Sequence, residues 1–157
     1  GATRIVVVEP AEHKRKAAET LGADVTLDPL GTDIRSVVFD LTSVGADVVL
    51  ECAGRTASAE MALQLARRGG TVVFFGVCPR GETFPISPYD IYARELTIAG
   101  SYINPYTFAR AIEVIASGIV SIEALSPASF SLEELPQALK ALREGRTIKN
   151  ILQPQRS

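Results

Sequence analysis

The chain has 157 residues, of which 46% are hydrophobic and 22% charged, with a formal net charge of −2. That length suits one globular domain and is short for two, and the apolar fraction excludes a wholly disordered chain. The near-neutral balance argues against a bulk nucleic-acid or membrane-surface binder, which needs a basic face.

No apolar run is long enough to cross a bilayer, and no secretory leader is legible at the start. Cys52 and Cys78 are too few for a disulfide framework, so a reducing, cytoplasmic setting is expected. The chain opens on Gly1 rather than Met, which reads as a cut edge more than a start.

Residues 4–9 (R-I-V-V-V-E) form a short β-branched run, predicted to be a strand buried on both faces. Pro10 suits the first turn of a helix. That helix is expected to run to about Leu21, with Ala17, Ala18 and Leu21 inward and Lys14, Arg15 and Glu19 toward water. Gly22 suits a left-handed cap. A second strand covers 25–27. Ile34, Val37, Val38 and Leu41 predict a helix over 33–42.

A third strand follows at 47–52, then a helix at 56–67 that Gly69 and Gly70 are expected to end. Residues 71–75 are the next strand. Residues 78–88 read as a loop and 89–94 as a turn or two of helix. A strand at 96–101 comes next. Asn104 and Pro105 carry the cap and first-turn signals of a helix that ends at Gly118. Ser131 and Glu134 form a capping-box pattern ahead of a last helix, in which Pro136 is expected to cost one hydrogen bond. Residues 147–152 close as a strand-like run.

Alternating strands and helices of this kind predict an α/β fold, a doubly wound parallel sheet. Ligands then bind beyond the carboxyl ends of the strands. Glu9 sits at such an end. An acid there can accept both hydroxyls of a ribose and repels a 2′-phosphate, favouring NAD over NADP; it is equally an ordinary acid at a helix start. Lys14 can swing toward the same ribose, or simply be solvated. Arg55 follows Ala53-Gly54 at a strand-to-helix turn, where a guanidinium can stack on an adenine. Gly76-Val77 leaves backbone groups free to face a ligand. Residues 101–103 offer edge-strand groups that could pair with a carboxamide.

No catalytic centre is legible. The only histidine, His13, lies in a polar helical turn. The two cysteines lack a neighbouring histidine, so they read as buried thiols rather than zinc ligands. Glu51 lies inside a strand and is expected to be partly buried. No G-x-G-x-x-G turn is present.

The runs V-V-V-E-P-A-E-H-K-R-K-A-A-E-T-L-G-A-D, V-V-L-E-C-A-G-R, G-G-T-V-V-F-F-G-V, E-L-T-I-A-G-S-Y-I and R-T-I-K-N-I-L together resemble the cofactor-binding portion of the medium-chain, zinc-dependent alcohol dehydrogenases. The likeness is greatest to the sorbitol and threonine dehydrogenase branch.

The resemblance implies a Rossmann-like sheet lacking its first strand and glycine-rich turn, and an NAD-dependent oxidation of an alcohol or polyol. It places Glu9 and Lys14 at the adenosine ribose, and Arg55 near the adenine. Gly76, Val77, Ser101 and Tyr102 fall along the nicotinamide half, and Lys149 near the pyrophosphate. Catalytic zinc is expected only in an N-terminal domain that these residues do not include.

It also implies a partial dinucleotide-binding domain over 1–124 and a helix and strand over 125–157 that return toward the catalytic domain. A homodimer or homotetramer is expected through the edge strand 96–101. In the family's strand order, 3-2-1-4-5-6, loss of strand 1 leaves strands 2 and 4 without their central neighbour. The chain alone is therefore expected to bind NAD weakly, if at all, and to have no dehydrogenase activity. A non-catalytic Rossmann-like dimerisation or interaction module is the alternative. A methyltransferase-like enzyme is a third reading, disfavoured by Arg55, Gly76-Val77 and the closing run occurring together.

Overall fold

A computed structural model of the chain describes residues 1–103, 106–125 and 127–154. It divides into two compact units, one formed by Gly1–Thr32 with Tyr106–Ser157 and the other by Asp33–Pro105.

The first unit opens with β1 (Val6–Val8), α1 (Glu12–Thr20) and β2 (Val25–Leu27). β1 and β2 are parallel, with Val6 opposite Val25 and Val8 opposite Leu27. A helix between two parallel strands is the crossover expected of a βαβ unit. Val8 is 37% exposed, where burial on both faces was expected; β1 has a single ladder partner among the described residues, so its other edge is uncovered.

Arg15 also departs from expectation. Its guanidinium does not face water but donates to the carbonyls of Glu9 and Pro10, both at 2.7 Å. It lies 3.4 Å from the Asp28 carboxylate, with its side chain only 17% exposed. Three acceptors at the strand ends outweigh hydration of a long, flexible side chain.

The same unit resumes with α5 (Phe108–Ala116), a 3-10 turn (Glu123–Leu125), β6 (Ala128–Ser131), α6 (Leu135–Arg143) and β7 (Asn150–Gln153). The Asn104-Pro105 helix start lies outside the described residues. β6 and β7 form a parallel pair. β6 has no counterpart in the sequence reading, because A-S-F-S lacks β-branched residues and alternates weakly.

The capping box forms only by half. Ser131 ends β6, and its N–H donates to the Glu134 carboxylate at 2.8 Å. Glu134, not Ser131, occupies the cap of α6. Pro136 then falls in the first turn, where its missing N–H would have had no helical partner, so the expected loss of a hydrogen bond does not arise. Ala138 and Ala141 are the buried residues of α6.

The second unit holds α2 (Ile34–Thr42), β3 (Ala46–Glu51), α3 (Thr56–Leu65), β4 (Ala66–Phe74), α4 (Pro88–Ala93) and β5 (Thr97–Gly100). Asp33 caps α2 by accepting the Ser36 N–H at 3.1 Å. The strands form one parallel sheet in the order β3-β4-β5. Ala62, Ala66 and Val72 form its core, with Val49, Leu63, Phe74 and Leu96 packed around them.

Gly69 and Gly70 do not end α3. The helix stops at Leu65 and β4 starts at once. Arg94 makes this possible: its guanidinium donates to the carbonyls of Leu63, at 3.0 Å, and Ala66, so helix-end acceptors are satisfied without a loop. The pairing register then skips from Ala46–Ala66 to Val48–Thr71. Residues 67–70 arch out as a bulge, with Gly69 at φ +68° and its N–H bonded to the Arg94 carbonyl at 2.8 Å.

All paired strands are parallel and joined by helices, as a Rossmann-like α/β fold requires. The neighbours also fit the expected strand order with its central strand removed. β2-β1 and β3-β4-β5 are the two stretches that remain, and β1 and β3 belong to separate sheets.

Candidate functional site

In the first unit, β1 delivers Glu9 to its carboxyl end. Glu9 Oε1 accepts the Ala11 N–H at 2.9 Å, the role of an acid at a helix start. Its second oxygen has no protein partner among the described residues. The guanidinium of Arg15, pinned to the Glu9 carbonyl at 2.7 Å, holds the main chain beneath it. Asp28 is among the strand-end residues that the carboxyl-end rule singles out, and what pattern reading missed is its pairing with Arg15. Asp28 directly follows β2 as Glu9 follows β1.

Lys14 is half-buried and makes no ion pair among the described residues. Lys149 is exposed, and its carbonyl accepts the Ala128 N–H at 3.0 Å just before β7. His13 is exposed.

In the second unit the carboxyl ends of β3 and β4 are drawn into contact. Gly54, at φ +66°, packs so closely on Val77 that an added Cβ would stand 2.6 Å from the Val77 carbonyl oxygen. A Cβ on Gly76 would collide with the Gly54 nitrogen and stand 2.6 Å from Glu51 Oε2. The two glycines therefore let the turn after β3 and the segment after β4 pack backbone to backbone.

Arg55 is exposed at the cap of α3 and its side chain makes no capping bond. Val77 is 90% exposed. Beyond β5, the Ser101 N–H continues the ladder to the Phe74 carbonyl at 3.0 Å, while Tyr102 is exposed.

Glu51 holds these strand ends together. It is 4% exposed. Its Oε1 accepts from Ala53 N and Gly54 N, both at 2.9 Å, and from the Ser58 hydroxyl at 2.7 Å. Its Oε2 is buried without a partner. A cavity of about 230 Å³ lies beside it, lined by Glu51, Thr56, Phe74, Gly76, Cys78 and Phe84 among others.

Cys52 is exposed and Cys78 intermediate, so neither is the buried thiol that was expected. Cys52 directly follows β3, where the chain leaves the sheet at the rim. Partial desolvation first, and then the charge of Glu51, push the Cys52 thiol above its ordinary range.

No group of three or more His, Cys, Asp or Glu able to hold a metal exists among the described residues, so no zinc ligand set is assigned to them. No described helix is long and apolar enough to cross a membrane.

Parallel strands joined by helices place the chain in the Rossmann-like class of α/β fold, in which ligands bind at the carboxyl ends of the strands. Comparison with known proteins narrows the class. The chain matches the zinc-binding dehydrogenase family over residues 1–117 and belongs to it. It is 31% identical over 144 residues to an erythritol/L-threitol dehydrogenase of Mycolicibacterium smegmatis, covering 91% of this chain and 40% of that one. It is 28% identical over 155 residues to a sorbitol dehydrogenase of Gallus gallus, covering 97% and 43%.

Among solved structures, a zinc-binding dehydrogenase from Sinorhizobium meliloti bound to NADP is 37% identical, with a TM-score of 0.80, over 99% of this chain and 44% of that one. The 2R,3R-butanediol dehydrogenase of Bacillus subtilis is 27% identical with a TM-score of 0.86, over 99% and 45%. The chain thus spans less than half the length of these relatives.

Proposed function

We propose that this chain is the cofactor-binding part of an NAD-dependent alcohol or polyol dehydrogenase. The observation that carries the reading is Glu9, an acid at the carboxyl end of a parallel strand with one carboxylate oxygen uncommitted. That oxygen is free to accept a ribose hydroxyl, and its charge disfavours a 2′-phosphate. The S. meliloti relative was crystallised with NADP, which makes nucleotide preference a property to measure.

Lys14 supports the ribose from the next helix. Arg55 stacks on the adenine, as its exposure and lack of a capping bond allow. Gly76 contributes through its main chain, since the space a side chain would take is filled by Gly54 and Glu51. Val77, Ser101 and Tyr102 line the nicotinamide half, and Lys149 neutralises part of the pyrophosphate charge. The bound dinucleotide supplies the hydride acceptor.

Saturation-transfer NMR of the 157-residue chain with NAD and with NADP tests the reading. Weak transfer to NAD and less to NADP is expected; transfer to neither, or stronger transfer to NADP, contradicts it.

β5 is the terminal strand of its sheet among the described residues, which favours association of two copies along it. Sedimentation showing association without any dinucleotide binding would support an interaction module instead.

A further inference from the structure

We infer that Glu51 is the positioning residue of the cofactor rim, the group that sets Arg55 and Gly76-Val77 in register with each other. The inference rests on the dinucleotide reading above for the purpose of the rim, and on geometry for its assembly. Glu51 ends β3, and through its two carbonyl-type groups it binds both neighbouring segments. Its carboxylate Oε1 takes three donors from the turn and first helical residues around Arg55: Ala53 N, Gly54 N and Ser58 Oγ. Its main-chain carbonyl takes two from the segment after β4: Phe75 N at 2.9 Å and Gly76 N at 2.7 Å. One buried residue thus fixes the chain on either side of Arg55 and the entry to Val77.

Glycine at 76 completes the arrangement. Glu51 Oε2 occupies the space a side chain there would need. A carboxylate suits the task because a single oxygen accepts three donors at once, and bonds to a charged acceptor are short and strong. Arg55, with no side-chain bond of its own at the cap, depends on this anchoring for its position. An alanine at 51 would leave Ala53 N, Gly54 N and the Ser58 hydroxyl without their acceptor. A glutamine keeps an acceptor oxygen of the same reach.

The test uses amide hydrogen exchange on the whole chain, with 5′-AMP as the ligand probe. In Glu51→Ala, the amides of Ala53 and Gly54 exchange on the order of tenfold faster than in the parent, over and above any acceleration at Val72 in the core. In Glu51→Gln they stay within about threefold, because the acceptor is retained. Ser58→Ala, which removes one bond, falls between and keeps the test decisive should Glu51→Ala not fold.

The AMP-induced shift at Arg55 weakens in Glu51→Ala and is restored in Glu51→Gln, a pattern that general loosening does not produce. Unchanged exchange at Ala53 and Gly54 in folded Glu51→Ala, or no slowing in Glu51→Gln relative to it, overturns the inference. Exchange that follows the expected pattern while AMP fails to shift Arg55 in the parent keeps the positioning role and refutes the dinucleotide reading instead.

Discussion

Gly76→Ala is the sharpest perturbation of this chain, because only one methyl group is added. Gly76 has no positive φ, so the cost is one of space rather than of backbone conformation. The new Cβ collides with the Gly54 nitrogen, and it stands 2.6 Å from Glu51 Oε2 and 2.8 Å from the Gly54 Cα. Backbone on one side and a buried carboxylate on the other leave no flexible side chain to move aside.

Overpacking of this kind costs about 1–3 kcal/mol. Displacing Glu51 weakens charge-assisted bonds worth about 1.5–3 kcal/mol each. A destabilisation of about 2–4 kcal/mol follows, since the two effects overlap. Because the chain forms two compact units, one unfolding midpoint does not isolate the effect. Native-state exchange at Val72, the fully buried residue of β4, reports it directly. At about 2 kcal/mol the amide exchanges roughly thirtyfold faster.

Gly100→Ala is the control, for nothing lies within 4 Å of its added Cβ. It should stay within about 0.5 kcal/mol of the parent. Equal exchange in the two variants would refute the close approach of the β3 and β4 ends.

Arg94→Ala strands the Leu63 and Ala66 carbonyls; it should cost about 3 kcal/mol, read as accelerated exchange at Leu65 and Ala66, and an effect under about 0.5 kcal/mol would contradict the cap. Glu9→Ala should bring NADP binding up toward NAD, seen as converging saturation-transfer signals. Unchanged discrimination counts against the role of Glu9. The raised Cys52 thiol is protonated at neutral pH, so its alkylation by iodoacetamide should rise only at a pH above that of an ordinary thiol. Glu51→Gln removes the smaller, charge contribution and moves that midpoint part of the way down. A parent midpoint at or below the ordinary thiol value contradicts this.

Much of the architecture was legible because local signals agreed with the tertiary outcome. Residues 25–27 form the expected strand, and Asp33 caps the expected helix. Gly22 follows α1 with φ +99°. The departures share a cause, which is a partner far away in sequence. The start of β4 at Ala66 depends on Arg94, and the inward turn of Arg15 depends on acceptors at two strand ends. No window of neighbouring residues contains either fact.

For the candidate site, the sequence placed Glu9, Arg55 and Gly76 at strand ends, because the carboxyl-end rule follows from strand order alone. It could not show that Gly54 and Gly76 touch, nor that Glu51 ties them. Those facts are set by register between β3 and β4.

Amide-shift mapping of the 157-residue chain during an NAD titration tests the central claim most directly. The account predicts weak, saturable shifts confined to the strand ends: Glu9 and Lys14 in one unit, Arg55, Gly76, Val77 and Ser101 in the other, and Lys149 near β7. Shifts clustered elsewhere, no shifts at millimolar NAD, or tight binding of the isolated chain would contradict it.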